Sequence, residues 1–182
     1  MKLFIASDIH GSAYFADLTV KKFAESGADK LVLLGDILYH GPRNDLPRDY
    51  APKAVIAMLN PLSDKILAVR GNCEAEVDSM VLDFNVASDY MTLYDGKVTI
   101  CASHGHRDIP RLSKGDVLLC GHTHVPKIEE RDGGYVYMNP GSTSIPKENS
   151  PHSYVIYEGG VFTWFDLETG ESYMSSEKIY KA

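Results

Sequence analysis

Cysteine is scarce, with three in 182 residues. Cys73, Cys101 and Cys120 are an odd number without zinc-type pairing, so neither a disulfide framework nor a CxxC site is indicated. Free thiols and the lack of an export signal point to the cytoplasm. Long apolar runs are missing too. A membrane-spanning helix needs about 18 consecutive apolar residues, and the longest block, in Lys30-Leu-Val-Leu-Leu, stops at Gly35. The opening Met1-Lys-Leu-Phe-Ile-Ala reaches Asp8 too soon for a signal peptide and is predicted as a strand. Positive charge is in deficit: 18 Lys and Arg stand against 25 Asp and Glu, for a formal net charge of −7. Such a chain offers no extended track for a nucleic-acid backbone, although a local basic or metal-filled cleft would still take one phosphate.

What is present is the composition of a soluble globular protein, 44% hydrophobic and 24% charged. At roughly 150 residues per domain, one domain over residues 1–182 is expected. The first eighty residues alternate strand and helix patterns. Lys2–Ser7, Lys30–Leu34 and Lys65–Val69 read as strands. A helix follows the first strand, with Ala16, Val20, Phe23 and Ala24 on its apolar face and Gly27 as C-cap. A second helix opens at Pro52 and presents Val55, Ile56 and Leu59, either to the core or to a dimer surface. A third helix is predicted over Glu74–Leu82. Strands joined by helices imply right-handed crossovers and a parallel sheet.

Beyond residue 90 the pattern becomes β-rich. Tyr90–Tyr94 and Lys97–Ser103 around Asp95-Gly96 predict a hairpin with a type I′ turn. Strands follow at Val117–Cys120, Lys127–Arg131, Tyr135–Met138, Tyr154–Tyr157 and Val161–Asp166, with a possible edge strand in Glu171–Tyr180. The alternating aromatics Tyr135, Tyr137, Trp164 and Phe165 fit core or interface positions better than a base-stacking platform. The expected fold is α/β: two packed sheets flanked by helices, with a parallel first half and a β-rich second half.

The chemistry lies at the strand ends. Asp8-Ile-His10, Gly35-Asp36, Gly71-Asn72, His104-Gly-His106 and Gly121-His122-Thr-His124 each follow a predicted strand. Five of the seven histidines belong to this set. Each motif alone has an ordinary explanation as a cap, a turn or a surface histidine. Together, in this order, they predict one cleft, because ligands of open α/β sheets gather at the carboxyl ends of strands. Carboxylates, imidazoles and a neutral amide suit two divalent cations about 3.5–4 Å apart, which clamp a phosphoryl group and acidify a water. The absence of thiolate from the set disfavours a closed structural zinc site and admits Mn²⁺, Fe²⁺ or Zn²⁺.

These five motifs resemble those of the calcineurin-like metallophosphoesterase superfamily. Gly35-Asp-Ile-Leu-Tyr-His-Gly-Pro-Arg43-Asn44, Arg70-Gly-Asn-Cys73-Glu and Asn139-Pro-Gly-Ser-x-Ser-Ile-Pro-Lys147 are further similar to its small bacterial YfcE-type phosphodiesterases, over nearly the whole chain. The resemblance implies a two-sheet sandwich flanked by helices, manganese dependence and a homo-oligomer. It implies that Asp8, His10, Asp36 and His124 hold one metal, and that Asp36, Asn72, His104 and His122 hold the other. A hydroxide bridging the two metals would then attack a small phosphodiester in line, with Asn72 and Arg43 as contacts to its oxygens. Cys73 departs from the superfamily, many of whose members carry a His there as leaving-group acid; His106 is an alternative donor or a positioning group. A phosphomonoesterase or nuclease of the same superfamily, or a non-catalytic scaffold of the same fold, are the competing readings.

Overall fold

Alternation along the first strand separates two cores. In the computed structural model, which describes residues 1–179, β1 (Lys2–Ala6) turns Leu3 and Ile5 to one face of its sheet and Phe4 and Ala6 to the other. All four are buried, as a strand covered on both sides requires. β1 pairs in parallel with β2 (Lys30–Leu33), and β2 with β3 (Ile66–Ala68). The crossovers carry α1 (Ala13–Ser26) and α2 (Pro52–Leu59). Ser12 caps α1, its Oγ accepting from the Phe15 amide at 3.3 Å, and Gly27 ends it at φ 66°. Phe15, Phe23, Val55 and Leu59 from these helices close over Phe4, Leu31 and Leu33.

The predicted third helix is shorter than expected: only α3 (Asp78–Val81) is helical. Glu74, which the pattern placed in its first turn, instead turns inward to accept from backbone amides of the β2 loop. The hairpin of β4 (Tyr90–Tyr94) and β5 (Thr99–Ser103) forms as expected, but its turn centres on Gly96-Lys97, with only Gly96 at positive φ (92°). It is therefore not the type I′ turn on Asp95-Gly96. The Asp95 carboxylate accepts from the amides of Lys97 and Val98, both at 3.0 Å, and closes the turn from the strand side.

Sheet membership crosses the two halves of the chain. The first sheet runs β11-β10-β9-β1-β2-β3, so β9 (Ser153–Glu158), β10 (Val161–Asp166) and β11 (Ser172–Ser175) extend the N-terminal sheet, β9 antiparallel to β1 and each further strand antiparallel to the one before it. Of the predicted segment Glu171–Tyr180, Tyr180 lies outside the described residues. The second sheet runs β4-β5-β6-β8-β7, with β6 (Val117–Cys120), β7 (Lys127–Glu130) and β8 (Val136–Asn139). Its central pairs, β5 with β6 and β6 with β8, are parallel. The sandwich core lies between the sheets, where Leu3, Ile5, Val32 and Leu34 meet Ile100, Val117, Leu119 and Met138. Each sheet thus holds a parallel triplet whose carboxyl ends lead into the motif loops.

Trp164 anchors this core. It is fully buried, and its indole N–H donates to the Asn139 carbonyl at 2.7 Å, tying β10 to the end of β8. Trp164→Ala removes the ring and orphans that carbonyl, so we expect a loss of about 3–5 kcal/mol in urea unfolding. Trp164→Phe should recover most of it; equal losses would place the anchor elsewhere.

Candidate metal centre

Among the described residues, five of the eight non-glycine residues at positive φ are predicted site residues: Asp8 (56°), His10 (50°), Asp36 (53°), His122 (69°) and His124 (62°). Left-handed backbone costs a side-chain-bearing residue about 1–3 kcal/mol and persists where the surroundings impose it. The effect is to turn each side chain sharply off its strand axis. Asp8 and His10 leave β1, Asp36 leaves β2, Asn72 and Cys73 leave β3, His104 leaves β5, and His122 and His124 leave β6.

The side chains meet. Asp8, His10 and His124 offer ligand atoms all within 4.8 Å of one another, and so do Asp8, Asp36 and His104. His124 Nε2 lies 3.3 Å from Asp8 Oδ1 and 3.2 Å from His10 Nε2. The two oxygens of Asp36 look opposite ways, Oδ2 to His10 Nε2 at 3.7 Å and Oδ1 to His104 Nε2 at 3.4 Å. Asn72 Oδ1 joins the second group, 3.1 Å from His104 Nε2. The His122 ring stands farther out, its centroid 5.0 Å from that of His104, while its backbone amide donates to Asp8 Oδ2 at 3.1 Å. His106 flanks His104 and His122, with ring centroids 5.3 and 6.2 Å away. Six of the predicted ligands are thus linked in one chain of contacts, and His122 is one ring removed.

Three imidazoles are locked the same way. The Nδ1 of His10, His104 and His124 faces a backbone carbonyl, of Tyr39 (2.8 Å), Leu34 (2.6 Å) and Ile145 (2.6 Å) respectively. A carbonyl only accepts, so each Nδ1 carries the hydrogen and each neutral ring turns its Nε2 lone pair inward. With both rings neutral, the Nε2 atoms of His10 and His124 oppose lone pair to lone pair, 3.2 Å apart. Asp8 Oδ1, fully buried, meets no donor at hydrogen-bonding geometry. Inward lone pairs and an orphaned carboxylate oxygen fit a cation between them.

Electrostatics asks for the same thing. Burial acts upward on Asp8, but the contacts from His10 and His124 outweigh it and hold the carboxyl far below its usual range. Asp36 behaves alike, burial opposing and His104 prevailing. Burial depresses His104, yet Asp36 and Asp8 push it up to about 9. His122 and His106 are lowered, by burial and then by the charge of His104. Burial, reinforced by the Asp36 charge, drives the Cys73 thiol well above its ordinary value. The two carboxylates draw protons onto His10 and His104 when nothing else supplies positive charge.

A cavity of about 640 Å³ opens onto the cluster, lined by Asp36, Asn72, Cys73, His122 and His124 and, from the outer loops, by Arg43 and Lys147. Arg43 was a sequence candidate; Lys147 was visible only as the end of a motif. Glu74 was missed as well. It is 6% exposed, and its carboxylate accepts from the amides of Asp36 (2.9 Å), Ile37 (2.7 Å) and Gly71, clamping the β2 and β3 loops together. A glycine is obligatory at 71, where a Cβ would lie 2.5 Å from the Asp36 nitrogen. Asn139 and its neighbours brace the other side. Its amide donates to Gly121 O (2.6 Å) and Thr123 Oγ1 (3.1 Å), and Ser142 and Ser144 donate to the Asp8 carbonyl at 2.8 and 2.9 Å.

Fold and site together define a two-sheet sandwich with an acid–imidazole centre at the carboxyl ends of both sheets. The family model for the calcineurin-like phosphoesterase superfamily domain matches residues 1–159. Phosphodiesterase YfcE of Escherichia coli strain K12 is 46% identical over 167 residues, 90% of each chain. The solved structure of YfcE, described as a phosphoesterase from E. coli, superposes with a TM-score of 0.94 at 42% identity, covering 99% of this chain and 100% of that one. Vps29 of Chaetomium thermophilum shares the fold at a TM-score of 0.61 and 16% identity, over 98% and 99% of the two chains. The chain belongs to the calcineurin-like phosphoesterase superfamily.

Glu74→Gln replaces one acceptor oxygen with a donor facing backbone N–H groups, so the two loops should separate. We expect calorimetric Mn²⁺ affinity to fall at least tenfold, while far-UV circular dichroism is unchanged. Undiminished affinity would mean that the clamp does not set the ligand geometry.

Proposed function

We propose that this protein is a phosphoric diester hydrolase working with two divalent cations, Mn²⁺ by preference and Zn²⁺ or Fe²⁺ as substitutes. The observation that carries the reading is Asp36, whose two oxygens face two separate ligand groups at the mouth of the cavity. In this reading Asp8, His10, Asp36 and His124 hold one cation, and Asp36, Asn72, His104 and His122 hold the other. When bound, the pair supplies a hydroxide nucleophile at neutral pH and neutralises charge on the phosphoryl oxygens. The kinship with phosphodiesterase YfcE, at 46% identity, supports diester over monoester hydrolysis.

The chain's own residues do the rest. The carbonyls behind His10, His104 and His124 fix each ring, so the ligand atoms need no reorganisation as charge develops. Asn72 ligates through Oδ1 and keeps its amide N–H groups on the cavity side, one now 3.3 Å from Cys73 Sγ. Arg43, on the cavity wall, presents a guanidinium suited to a non-bridging oxygen of any phosphoryl group bound in the cavity. Burial and the Asp36 charge raise the Cys73 thiol, which makes it a weaker general acid than an imidazole at that place. The working form is taken to be a cytoplasmic homo-oligomer, in keeping with three free thiols and with the exposed Met80 on α3 and Val77 just before it. No helix among the described residues is long and apolar enough to cross a membrane.

Metal-stripped protein titrated separately with Mn²⁺, Zn²⁺, Fe²⁺ and Mg²⁺ should regain turnover of an aryl phosphodiester, with Mn²⁺ the most effective. Asp36→Asn should abolish it with every metal; persistent turnover would remove Asp36 from its bridging place. With a thiol in place of an imidazole at 73, rates should fall steeply from aryl to alkyl diesters. Cys73→His should flatten that dependence by about 10²-fold or more, the ordinary worth of general acid catalysis. An unaltered dependence would make Cys73 a bystander.

A further inference from the structure

The cavity carries more positive charge at its mouth than hydrolysis of a simple diester uses. Arg43 reaches its wall from the loop after β2, and Lys147 from the segment after β8. Among the described residues no ion pair engages either side chain, whereas Lys21, Lys22, Arg107 and Arg131 are each matched to a carboxylate. Two free cations on one cavity stand out in a chain of net charge −7. The volume, about 640 Å³, also exceeds what one phosphoryl group fills and suits a ligand with two substantial arms.

A second, independent observation concerns the departing group. Cys73, half-buried behind the Gly41 turn, stands beside the ligand cluster where a proton donor to the leaving oxygen would be useful. That place holds a thiol and not an imidazole, so a leaving oxygen already stable as an anion is the better fit. A phosphate monoester is such a leaving group, because its second pKa is about 6. It also leaves as a dianion, the charge that Arg43 and Lys147 match.

We propose that the preferred substrates are diphosphate diesters, in which two phosphoryl groups share a bridging oxygen and each carries an organic arm. One phosphorus sits at the carboxylate–imidazole cluster, and Arg43 and Lys147 hold the other. The proposal rests on the phosphodiesterase reading above and narrows it. Water adds to the first phosphorus, and the bond from that phosphorus to the bridging oxygen breaks. The electron pair stays on the bridging oxygen, which departs within the second phosphate monoester. The products are two monoester dianions, and the two protons of the water pass to solvent. The doubly negative substrate plus water balances two dianions plus two protons.

The Mn²⁺-loaded enzyme is assayed on bis(4-nitrophenyl) phosphate and on a dinucleoside 5′,5′-diphosphate, and the ratio of the two kcat/KM values is compared across variants. The wild type should favour the diphosphate. Arg43→Ala and Lys147→Ala should each lower the diphosphate-to-aryl ratio at least tenfold, and Lys147→Glu further. The inhibition constant of a methylene-bridged diphosphate analogue should rise in parallel, which reads binding apart from chemistry. Both residues are exposed, so the variants should melt with the wild type. Wild-type turnover of the aryl diester but not of the diphosphate would overturn this proposal alone. A ratio and inhibition constant unmoved by the three substitutions would do the same. Failure to turn over the aryl diester with any metal would overturn the phosphodiesterase reading and this one with it.

Discussion

Two carboxylates, Asp8 and Asp36, are buried side by side at the carboxyl ends of adjacent parallel strands. Removing an ion from water costs several kcal/mol, and the cost is recovered only if positive charge is held close in good geometry. The imidazoles of His10, His104 and His124 are placed for that purpose, but each is turned by its backbone carbonyl to offer a lone pair. The arrangement is therefore incomplete as an ion-pair network and complete as a ligand set. A protein selected only for stability would have filled this end of the sandwich with leucine and valine, as it filled the layer beneath.

Holding the ligand set in place falls to residues with no chemistry of their own. Left-handed backbone at five positions of the cluster has to be imposed from outside. Glu74 imposes it between the β2 and β3 loops, and Asn139, Ser142 and Ser144 impose it on the loops after β6 and β1. Glycine permits the approach. At Gly121 an added Cβ would sit 2.9 Å from Asp8 Oδ2, and the loops after β1 and β6 would have to part. The Asn139-Pro-Gly-Ser segment, which carries no ligand, is explained as a brace rather than a binding element.

Much of this was legible because the relevant signals are local. Apolar runs ending at a polar pair marked β1, β2, β5 and β6, and five histidines gathered at those ends pointed to one cleft. What stayed hidden depends on distant partners. Glu74 sits in a stretch with helical spacing, and only the three amides waiting in another loop reveal why it leaves the helix. The turn at Gly96-Lys97 shifted by one residue because Asp95 hydrogen-bonds across it, a competition that the Asp-Gly pair does not advertise. The parallel-first, β-rich-second division described the chain order well but not the sheets. β9 pairs with β1 across more than 140 residues, a partnership that no short-range pattern encodes.

That long-range pairing has a consequence for the site. Because β9 and β10 complete the first sheet, Trp164 reaches across the sandwich to the last carbonyl of β8, at the start of the segment that braces Asp8 and His124. The C-terminal strands, far from every ligand in sequence, thus set the spacing between the two sheets at the end where the ligands meet. A metal centre drawing on both sheets tolerates little change in that spacing, since metal–ligand distances are fixed to a few tenths of an ångström. The same sandwich with slack at this end would keep its fold and lose its site, which is why fold likeness alone says little about chemistry and the loop-end side chains say most of it.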